Sequence, residues 1–318
     1  MDGIKRFGIE IDEGMIGPDY SEVGSYGPYS QSKRGPIYQT YVKNLVAKGC
    51  AYPCFLSEAE MILVREEQTL TKQPIGIYGS YSPWRVATLE EVQSALAAGK
   101  KYVVRLRSHG NSNKRVKLTD EIRGEIEMQD NFMDTVLLKQ TGIPTYHLAH
   151  VVDDHLMRTT HVIRADEWVP SLPLHIQLTE ILGFTPPKYI HISPLMKTEG
   201  GGKRKLSKRK DPEANVEFFF REGYPIEALI DYMFGIMDSR YEAWRLENPT
   251  ADYKTYPLTI EKLPLSGALF DIVKLDSIAN AFLTRISTKE LQKRGLEWAR
   301  EYDSELAKLM EKYPEITY

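Results

Sequence analysis

Cysteine is scarce in this 318-residue sequence and occurs only as Cys50 and Cys54. Two cysteines exclude the dense disulfide framework of small secreted domains, and they favour a reducing compartment such as the cytoplasm. A structural zinc ion needs about four ligands, so His109 and another group would have to join the two thiols. We therefore interpret both cysteines as ordinary thiols and expect no zinc site.

Long hydrophobic runs and a large excess of one charge are also absent. No apolar stretch is long enough to span a bilayer, so we expect no membrane partner. The opening residues, MDGIKRFGIEIDEGM, lack the basic start and apolar run of a secretion signal. The formal net charge is -3, so any surface that binds nucleic acid must be a local patch.

The stretch TEGGGKRKLSKRKDP, residues 198–212, concentrates positive charge: three glycines precede six basic residues. Glycine lets a backbone close over a ligand and lysine meets phosphate oxygens, which predicts a mobile cationic loop. Lys205 and Lys208 are three residues apart and can approach one polyphosphate, while Ser207 can add a hydroxyl hydrogen bond. A solvated charge run or a localisation patch is the alternative interpretation.

Residues 31–143 have the pattern of a mixed α/β unit. Apolar residues recur at helical spacing from Gln31 until Gly49. Capping boxes beginning at Ser57 and Thr88 predict two further helices. Strands are predicted for KYVVRLRS, EIRGEIEM and DTVLLKQ.

Strands and helices alternate in the next segment. From residue 143 the pattern predicts a strand, a short helix, a strand and a helix from about Ser171 to Leu182. This order is typical of βαβ units with a parallel sheet. A buried strand, KYIHISPLMK, leads into the basic loop, and the stretches after Pro212 predict a mainly helical C-terminal domain from about residue 213.

The KLSKR centre of the basic loop resembles the KMSKS signature of class I aminoacyl-tRNA synthetases. Three other stretches, in family order, are similar to glutamyl-tRNA synthetases: GPYSQSKRGPIYQTYVKNLVAKGCAYPCF, PTYHLAHVVDDHLMRTTHVIRADEW and SGALFDIVKLDSI. This resemblance covers nearly the whole chain. It implies an α/β fold in which a partial Rossmann-type parallel sheet carries an inserted α/β acceptor-binding domain and a helical C-terminal stem-contact domain.

The resemblance also implies domain boundaries. Residues 1–30 would be a remnant of the first Rossmann half, 31–143 the inserted domain, 144–212 the second Rossmann half with the KLSKR loop, and 213–318 the stem-contact domain and the start of an anticodon-binding region. Family members begin with an ATP-binding element that carries a His-Ile-Gly-His-like signature, and none occurs in this sequence. We therefore expect a chain truncated at both ends, without the N-terminal half of its nucleotide-binding fold.

Three sets of site residues follow from the resemblance. The ATP phosphates would be contacted by Lys205, Ser207 and Lys208, with Lys205 and Lys208 as the catalytic pair. Glutamate would be bound by Tyr146, His150, Arg164 and Trp168, with Arg164 recognising the side-chain carboxylate. The tRNA would be contacted by Arg105, Arg107, Lys114 and Arg115.

Other interpretations of these positions remain open. Arg164 could form a structural ion pair with Asp166 or Glu167, and Tyr146 and Trp168 could be ordinary core residues. The turn that carries the predicted tRNA contacts could be a simple exposed hairpin.

The segment VVDDHLM places Asp153, Asp154 and His155 in one helical turn, which could indicate a metal or acid–base site. The resemblance instead implies an architectural role, and we expect no bound metal. Arg158 stands where relatives often have glycine, and His150 where some carry asparagine; the residues alone assign neither a role.

The implied function is that of a glutamate–tRNA ligase. It would use ATP with Mg²⁺ as substrate to activate L-glutamate, and would then transfer glutamate to the 3′ end of tRNA(Glu). A monomer in the cytoplasm is expected, with no tightly bound cofactor and poor activity of this chain alone. The alternative is a non-catalytic module that binds a tRNA acceptor stem. A glutaminyl synthetase fits less well, because an amide pocket needs no cation such as Arg164.

Overall fold

The computed structural model describes residues 2–17, 19 and 21–314. Contacts divide the chain into two compact units, one formed by Ile11–His191 and the other by Met1–Glu10 with Ile192–Tyr318. We call them the insert unit and the helical unit. The predicted division into four domains stays a prediction. None of the described helices is long and apolar enough to cross a membrane.

Twelve α-helices occur in the described part of the chain: α1 (Asp2–Arg6), α2 (Gly35–Ala47), α3 (Glu58–Leu70), α4 (Leu89–Ala97), α5 (Tyr146–Leu156), α6 (Leu172–Leu182), α7 (Val216–Arg221), α8 (Ile226–Met237), α9 (Tyr241–Glu247), α10 (Ile272–Leu283), α11 (Thr288–Tyr302) and α12 (Ser304–Lys312). The strands are β1 (Gly14–Met15), β2 (Glu22–Val23), β3 (Ala51–Cys54), β4 (Val103–Leu106), β5 (Arg115–Asp120), β6 (Gly124–Gln129), β7 (Val136–Leu138), β8 (His161–Ala165), β9 (Lys188–Ile192), β10 (Met196–Glu199) and β11 (Gly202–Lys205).

The core of the insert unit forms where α2 contacts α5, α6 and the three-stranded sheet β3-β4-β7. Tyr38, Val42 and Leu45 are spaced for one helical face, and all three are buried there. The helix predicted from Gln31 is confirmed, with a 3₁₀ turn over its first four residues. Both predicted capping boxes are present, because Glu60 and Glu91 accept from the backbone of Ser57 and Thr88.

The predicted strand after residue 143 is wrong. Pro144 forms only a single bridge with Leu138, and α5 starts at Tyr146. The Thr145 N–H donates to the carbonyl of Leu137, so the chain passes from the sheet directly into the helix. The following strand–helix–strand order is confirmed, since β8 and β9 pair and α6 lies in the connection between them.

The antiparallel hairpin β5–β6 packs its inner face on α6 and β9. Leu118 is buried in one cluster with Leu172 and Tyr189. The strand predicted for EIRGEIEM starts only at Gly124, because Asp120 Oδ1 accepts the backbone N–H groups of Ile122 and Arg123 and closes the turn.

The basic segment, residues 198–212, was predicted to be a loop. Its first half instead belongs to a β-hairpin of the helical unit. Strands β10 and β11 pair antiparallel, and Gly200 (φ 58°) and Gly201 (φ 81°) supply the left-handed backbone of its turn. The predicted C-terminal helices are confirmed in α7, α8, α10 and α11, whereas α9 was not predicted. Their core includes Phe219, Leu229 and Leu275.

Candidate functional site

Arg164, at the end of β8, is the centre of a cluster of histidines and aromatic rings in the insert unit. Its Nε lies 2.9 Å from His191 Nε2 and its Nη1 lies 3.1 Å from His175 Nδ1. His150 Nε2 is 3.5 Å from the same Nη1, at the limit of hydrogen bonding. The remaining nitrogen, Nη2, is buried and has no hydrogen-bond partner among the described residues. Because buried donors are nearly always paired, this nitrogen is suited to an incoming acceptor.

The histidines around Arg164 must accept hydrogen bonds from it, since a guanidinium only donates. His175 therefore accepts through Nδ1, which leaves its Nε2–H to donate to His147 Nδ1 at 2.9 Å. Burial lowers the pKa of His175 to about 2, and the charge of Arg164 acts in the same direction. Burial also lowers the pKa of His147 and of His191. These three imidazoles are neutral near pH 7 and do not offset the arginine charge by ion pairing.

Aromatic rings form the rest of the cluster. The Arg164 guanidinium carbon is 4.9 Å from the ring centre of Tyr189 and 5.9 Å from that of Trp168. Tyr146 lies 4.3 Å from Trp168 and is stacked on His150 with ring centres 5.5 Å apart. The four residues predicted to bind glutamate thus lie together, and Tyr146 is 43% exposed rather than a core residue.

Among the described contacts, Arg164 forms no ion pair with Asp166, one of the two acidic partners considered for it. Its partners are histidines and rings, and Asp166 lies instead 3.5 Å from Arg123. Sequence reasoning missed His175, His191 and Tyr189. One signal was available, because six of the seven histidines fall between residues 147 and 191.

In the segment Asp153–His155, the side chains of Asp153 and His155 contact the core of the insert unit, whereas Asp154 Oδ2 lies 2.8 Å from His150 Nδ1. Asp153 accepts hydrogen bonds from Arg34 Nε at 2.8 Å and from the Tyr38 hydroxyl at 2.6 Å. Burial raises the pKa of Asp153, although these hydrogen bonds oppose the rise. His155 stacks on Phe184 at 3.6 Å between ring centres. Within the described ranges, no group of histidine, cysteine and acidic side chains is arranged to hold a metal ion.

The turn after β11 is organised by Asp211, which is 3% exposed. Arg204 makes two hydrogen bonds to this carboxylate, at 2.6 and 2.8 Å, and the backbone N–H of Ser207 adds a third at 2.9 Å. These contacts hold the pKa of Asp211 well below its usual range, with the Arg204 bond as the largest cause. Arg204 therefore has a structural role inside the run of basic residues, whereas Lys208 is exposed.

Lys205 and Lys208 line a cavity of about 290 Å³ in the helical unit. Its other walls include Leu206, Phe219 and Tyr232. The KLSKR turn therefore presents two cationic side chains around an apolar recess.

The four predicted tRNA contacts differ in exposure. Arg105 is 9% exposed and donates to the carbonyl of Asp134, and Arg107 lies over the ring of Tyr52. Lys114 and Arg115 are exposed at the start of β5. Arg115 is near Glu127, so part of the positive charge of this hairpin is balanced.

The sequence of this chain is similar to those of known aminoacyl-tRNA synthetases. Residues 1–245 match the family model for tRNA synthetases class I (E and Q), catalytic domain. The chain is 46% identical to a glutamate–tRNA ligase of Clostridium perfringens over 305 residues, which cover 96% of this chain and 56% of that protein. It is 43% identical to a glutamate–tRNA ligase of Sorangium cellulosum over 343 residues, covering 100% of this chain and 60% of the relative.

A similar solved structure is that of a glutamate tRNA ligase from Elizabethkingia meningosepticum in complex with its amino acid. It superposes with a TM-score of 0.80 at 27% identity, and the match covers 98% of this chain and 65% of that one. The chain spans a little over half the length of the curated relatives described above.

Proposed function

Because this chain belongs to the family of class I tRNA synthetases for glutamate and glutamine, we propose that it performs the reaction of a glutamate–tRNA ligase. In this reaction an α-carboxylate oxygen of L-glutamate attacks the α-phosphorus of ATP, and the bond to pyrophosphate breaks. A terminal hydroxyl of tRNA(Glu) then attacks the carbonyl carbon of the adenylate, and AMP leaves. The names of the relatives support glutamate as the substrate.

The observation that carries this proposal is the environment of Arg164. Its Nη2 is buried and has no partner among the residues that the structure describes, while neutral histidines accept from Nε and Nη1. A side-chain carboxylate would accept a hydrogen bond from this nitrogen and offset the charge of the guanidinium. The amide oxygen of glutamine could accept the hydrogen bond, but it carries no charge to offset. Tyr146 and Trp168 provide apolar surface for the methylene groups of the substrate.

For the phosphate chemistry we propose Lys208, supported by Lys205 and Ser207. Charge develops on the leaving pyrophosphate, and a lysine placed at that position stabilises it in the transition state. The shared cavity of Lys205 and Lys208 and the Asp211-anchored turn support this role. ATP and Mg²⁺ enter as substrate.

The tRNA contact is proposed for the exposed residues Lys114 and Arg115, since phosphate contacts need accessible cations. Arg107 is half-buried and Arg105 is buried, so we assign them support of the β4 region rather than direct contact. We also propose that pyrophosphate exchange by residues 1–318 alone is slow, because they contain no His-Ile-Gly-His-like signature.

The test is glutamate-dependent ATP–pyrophosphate exchange, measured with and without tRNA(Glu). Replacing Lys208→Ala should lower the exchange rate by about 10²–10³-fold, the usual cost of one transition-state donor. Binding of glutamate, followed by calorimetry, should not change. Lys203→Ala, an exposed lysine of the same hairpin, is the matched control and should retain wild-type exchange.

Two results would contradict the proposal. If wild type and Lys208→Ala had the same rate of ATP–pyrophosphate exchange, Lys208 would not stabilise the leaving pyrophosphate. If the chain bound tRNA without binding glutamate or supporting exchange, it would be the non-catalytic acceptor-stem module.

A further inference from the structure

A buried carboxylate–imidazole pair lies directly behind Arg164. Asp120 Oδ2 is 2.7 Å from His191 Nδ1, and both side chains have 0% exposure. The opposite ring nitrogen of His191, Nε2, accepts from Arg164 Nε at 2.9 Å. We propose that Asp120 and His191 are positioning residues, which hold the Arg164 guanidinium so that its Nη2 faces the substrate carboxylate. This inference rests on the proposed function and deepens it.

The direction of these hydrogen bonds determines the protonation of His191. Arg164 Nε can only donate, so Nε2 of His191 must carry a lone pair. The single ring proton is then on Nδ1, where Asp120 accepts it. With the other tautomer, two N–H groups would face each other across 2.9 Å and the Nδ1 lone pair would face the carboxylate. Asp120 therefore selects the tautomer that can hold the arginine, as carboxylates do for histidines that bind metals.

Asp120 is itself held from several directions. Its Oδ2 also accepts the backbone N–H of His191 at 3.0 Å, and its Oδ1 accepts those of Ile122 and Arg123 at 3.0 and 2.9 Å. The turn of the hairpin β5–β6 and the orientation of Arg164 thus depend on the same carboxylate. With this many donors, the carboxylate cannot rotate without breaking backbone hydrogen bonds.

The arrangement determines which donors remain for a ligand. His191 takes the Nε–H and His175 takes one donor of Nη1, so a carboxylate cannot bind side-on through Nε and must approach Nη2. Without the acceptor at Nε, the guanidinium can turn about its last side-chain bond. The loss should therefore weaken glutamate binding and also the preference for glutamate over glutamine.

The experiment uses two replacements of His191 that each keep one of its hydrogen bonds. In His191→Asn the amide nitrogen can replace Nδ1 as the donor to Asp120, but the acceptor for Arg164 is lost. In His191→Gln the amide oxygen can replace Nε2 as that acceptor. We expect the Kd of L-glutamate, measured by calorimetry on the full chain, to rise about tenfold or more in His191→Asn. His191→Gln should recover most of this loss, and L-glutamine is the comparison ligand.

The matched control is Tyr38→Phe, which removes a buried hydrogen bond to Asp153 in the same unit without touching Arg164. It should lower the unfolding temperature but leave the Kd of glutamate unchanged. As a readout without ligand, ¹⁵N spectra of labelled histidine and arginine should show the Nδ1–H tautomer of His191, and a slowly exchanging Arg164 Nε–H that disappears in His191→Asn.

The outcomes separate the two levels of the proposal. If the wild-type chain binds no glutamate, the proposed function and this inference both fail. If it binds glutamate and His191→Asn binds it as tightly, Asp120 and His191 are structural only. Equal losses in His191→Asn and His191→Gln, matched by equal losses in stability, would also overturn the positioning role.

Discussion

At the level of single residues, the chemistry of the insert unit depends on what surrounds Arg164. An arginine next to acidic residues in the sequence VIRADEW could equally have formed a surface ion pair. It instead has three histidine nitrogens within 3.5 Å and leaves Nη2 without a partner in the described chain. This selection of partners gives the arginine its fixed orientation and its remaining donor.

The replacement Arg164→Lys tests the need for that geometry. Lysine retains the positive charge. Its ammonium group cannot replace the three nitrogens of the guanidinium, of which Nε and Nη1 donate to His191 and His175 while Nη2 is proposed to bind the ligand. We expect the Kd of L-glutamate to rise by about 10–100-fold, the cost of losing a charged hydrogen bond. Calorimetry provides the measurement.

The control for this replacement is Arg65→Lys, an exposed arginine on α3. It should bind glutamate as the wild type does. Unchanged binding by Arg164→Lys would show that charge alone is sufficient at this position.

At the level of elements, α3 and α5 end in the same way. Lys72 (φ 54°) and Arg158 (φ 58°) occupy the left-handed region that usually requires glycine. The next residues, Gln73 and Thr159, each donate to a carbonyl five positions earlier, as in a Schellman motif. The resemblance implied glycine where Arg158 stands, and the backbone now gives the physical reason.

Glycine at these two helix ends should therefore relieve strain. We expect Lys72→Gly to raise the free energy of unfolding by about 0.5 kcal/mol, because the removed strain of about 1 kcal/mol is partly offset by unfolded-chain entropy. Arg158→Gly should have a smaller effect, because the Arg158 guanidinium lies 5.6 Å from the ring centre of Tyr26 and loses that contact.

Urea unfolding of the two variants beside wild type measures the difference. If Lys72→Gly were less stable than wild type, the strain argument would be wrong. If Arg158→Gly gained more than Lys72→Gly, the ring contact would have no stabilising role.

At the level of the whole molecule, the buried histidines make stability depend on pH. In the unfolded chain a histidine takes up a proton below about pH 6.5. His147, His175 and His191 have lowered pKa values when folded, because burial disfavours their charged form, so in the folded state they take up this proton only at lower pH. The unfolded state then binds more protons, and the free energy of unfolding falls as the pH drops from 7 towards 5.

Each such group contributes at most about 1.4 kcal/mol per pH unit well below its unfolded pKa. Hydrogen exchange of the α6 amides in urea, followed between pH 5 and 7.5, measures this slope within the insert unit. His175→Gln should reduce the slope, while His161→Gln at an exposed position is the control. A slope that is flat in the wild type would contradict neutral burial of these histidines.

Several features of this protein could be read from the sequence because they are local. The capping boxes at Ser57 and Thr88 depend on residues three apart, and the face of α2 depends on helical spacing. The four motifs in family order gave the family, which the comparisons confirm. The strand predicted after residue 143 is not formed. The apolar residues of this stretch are compatible with a strand, but they lie in α5, where they pack in the core of the insert unit.

The sequence by itself determined the positions of α7, α8, α10 and α11, the family, and the residue types at the site that we propose for an acidic substrate. Only the tertiary structure decided that Arg204 anchors the basic turn through Asp211. It also decided that His191 accepts a hydrogen bond from Arg164 and is itself held by Asp120. These partners are separated by 71 residues in one case and by 27 in another. Local propensities act over a few residues, whereas such contacts exist only after the hairpin, α6 and β9 have packed together.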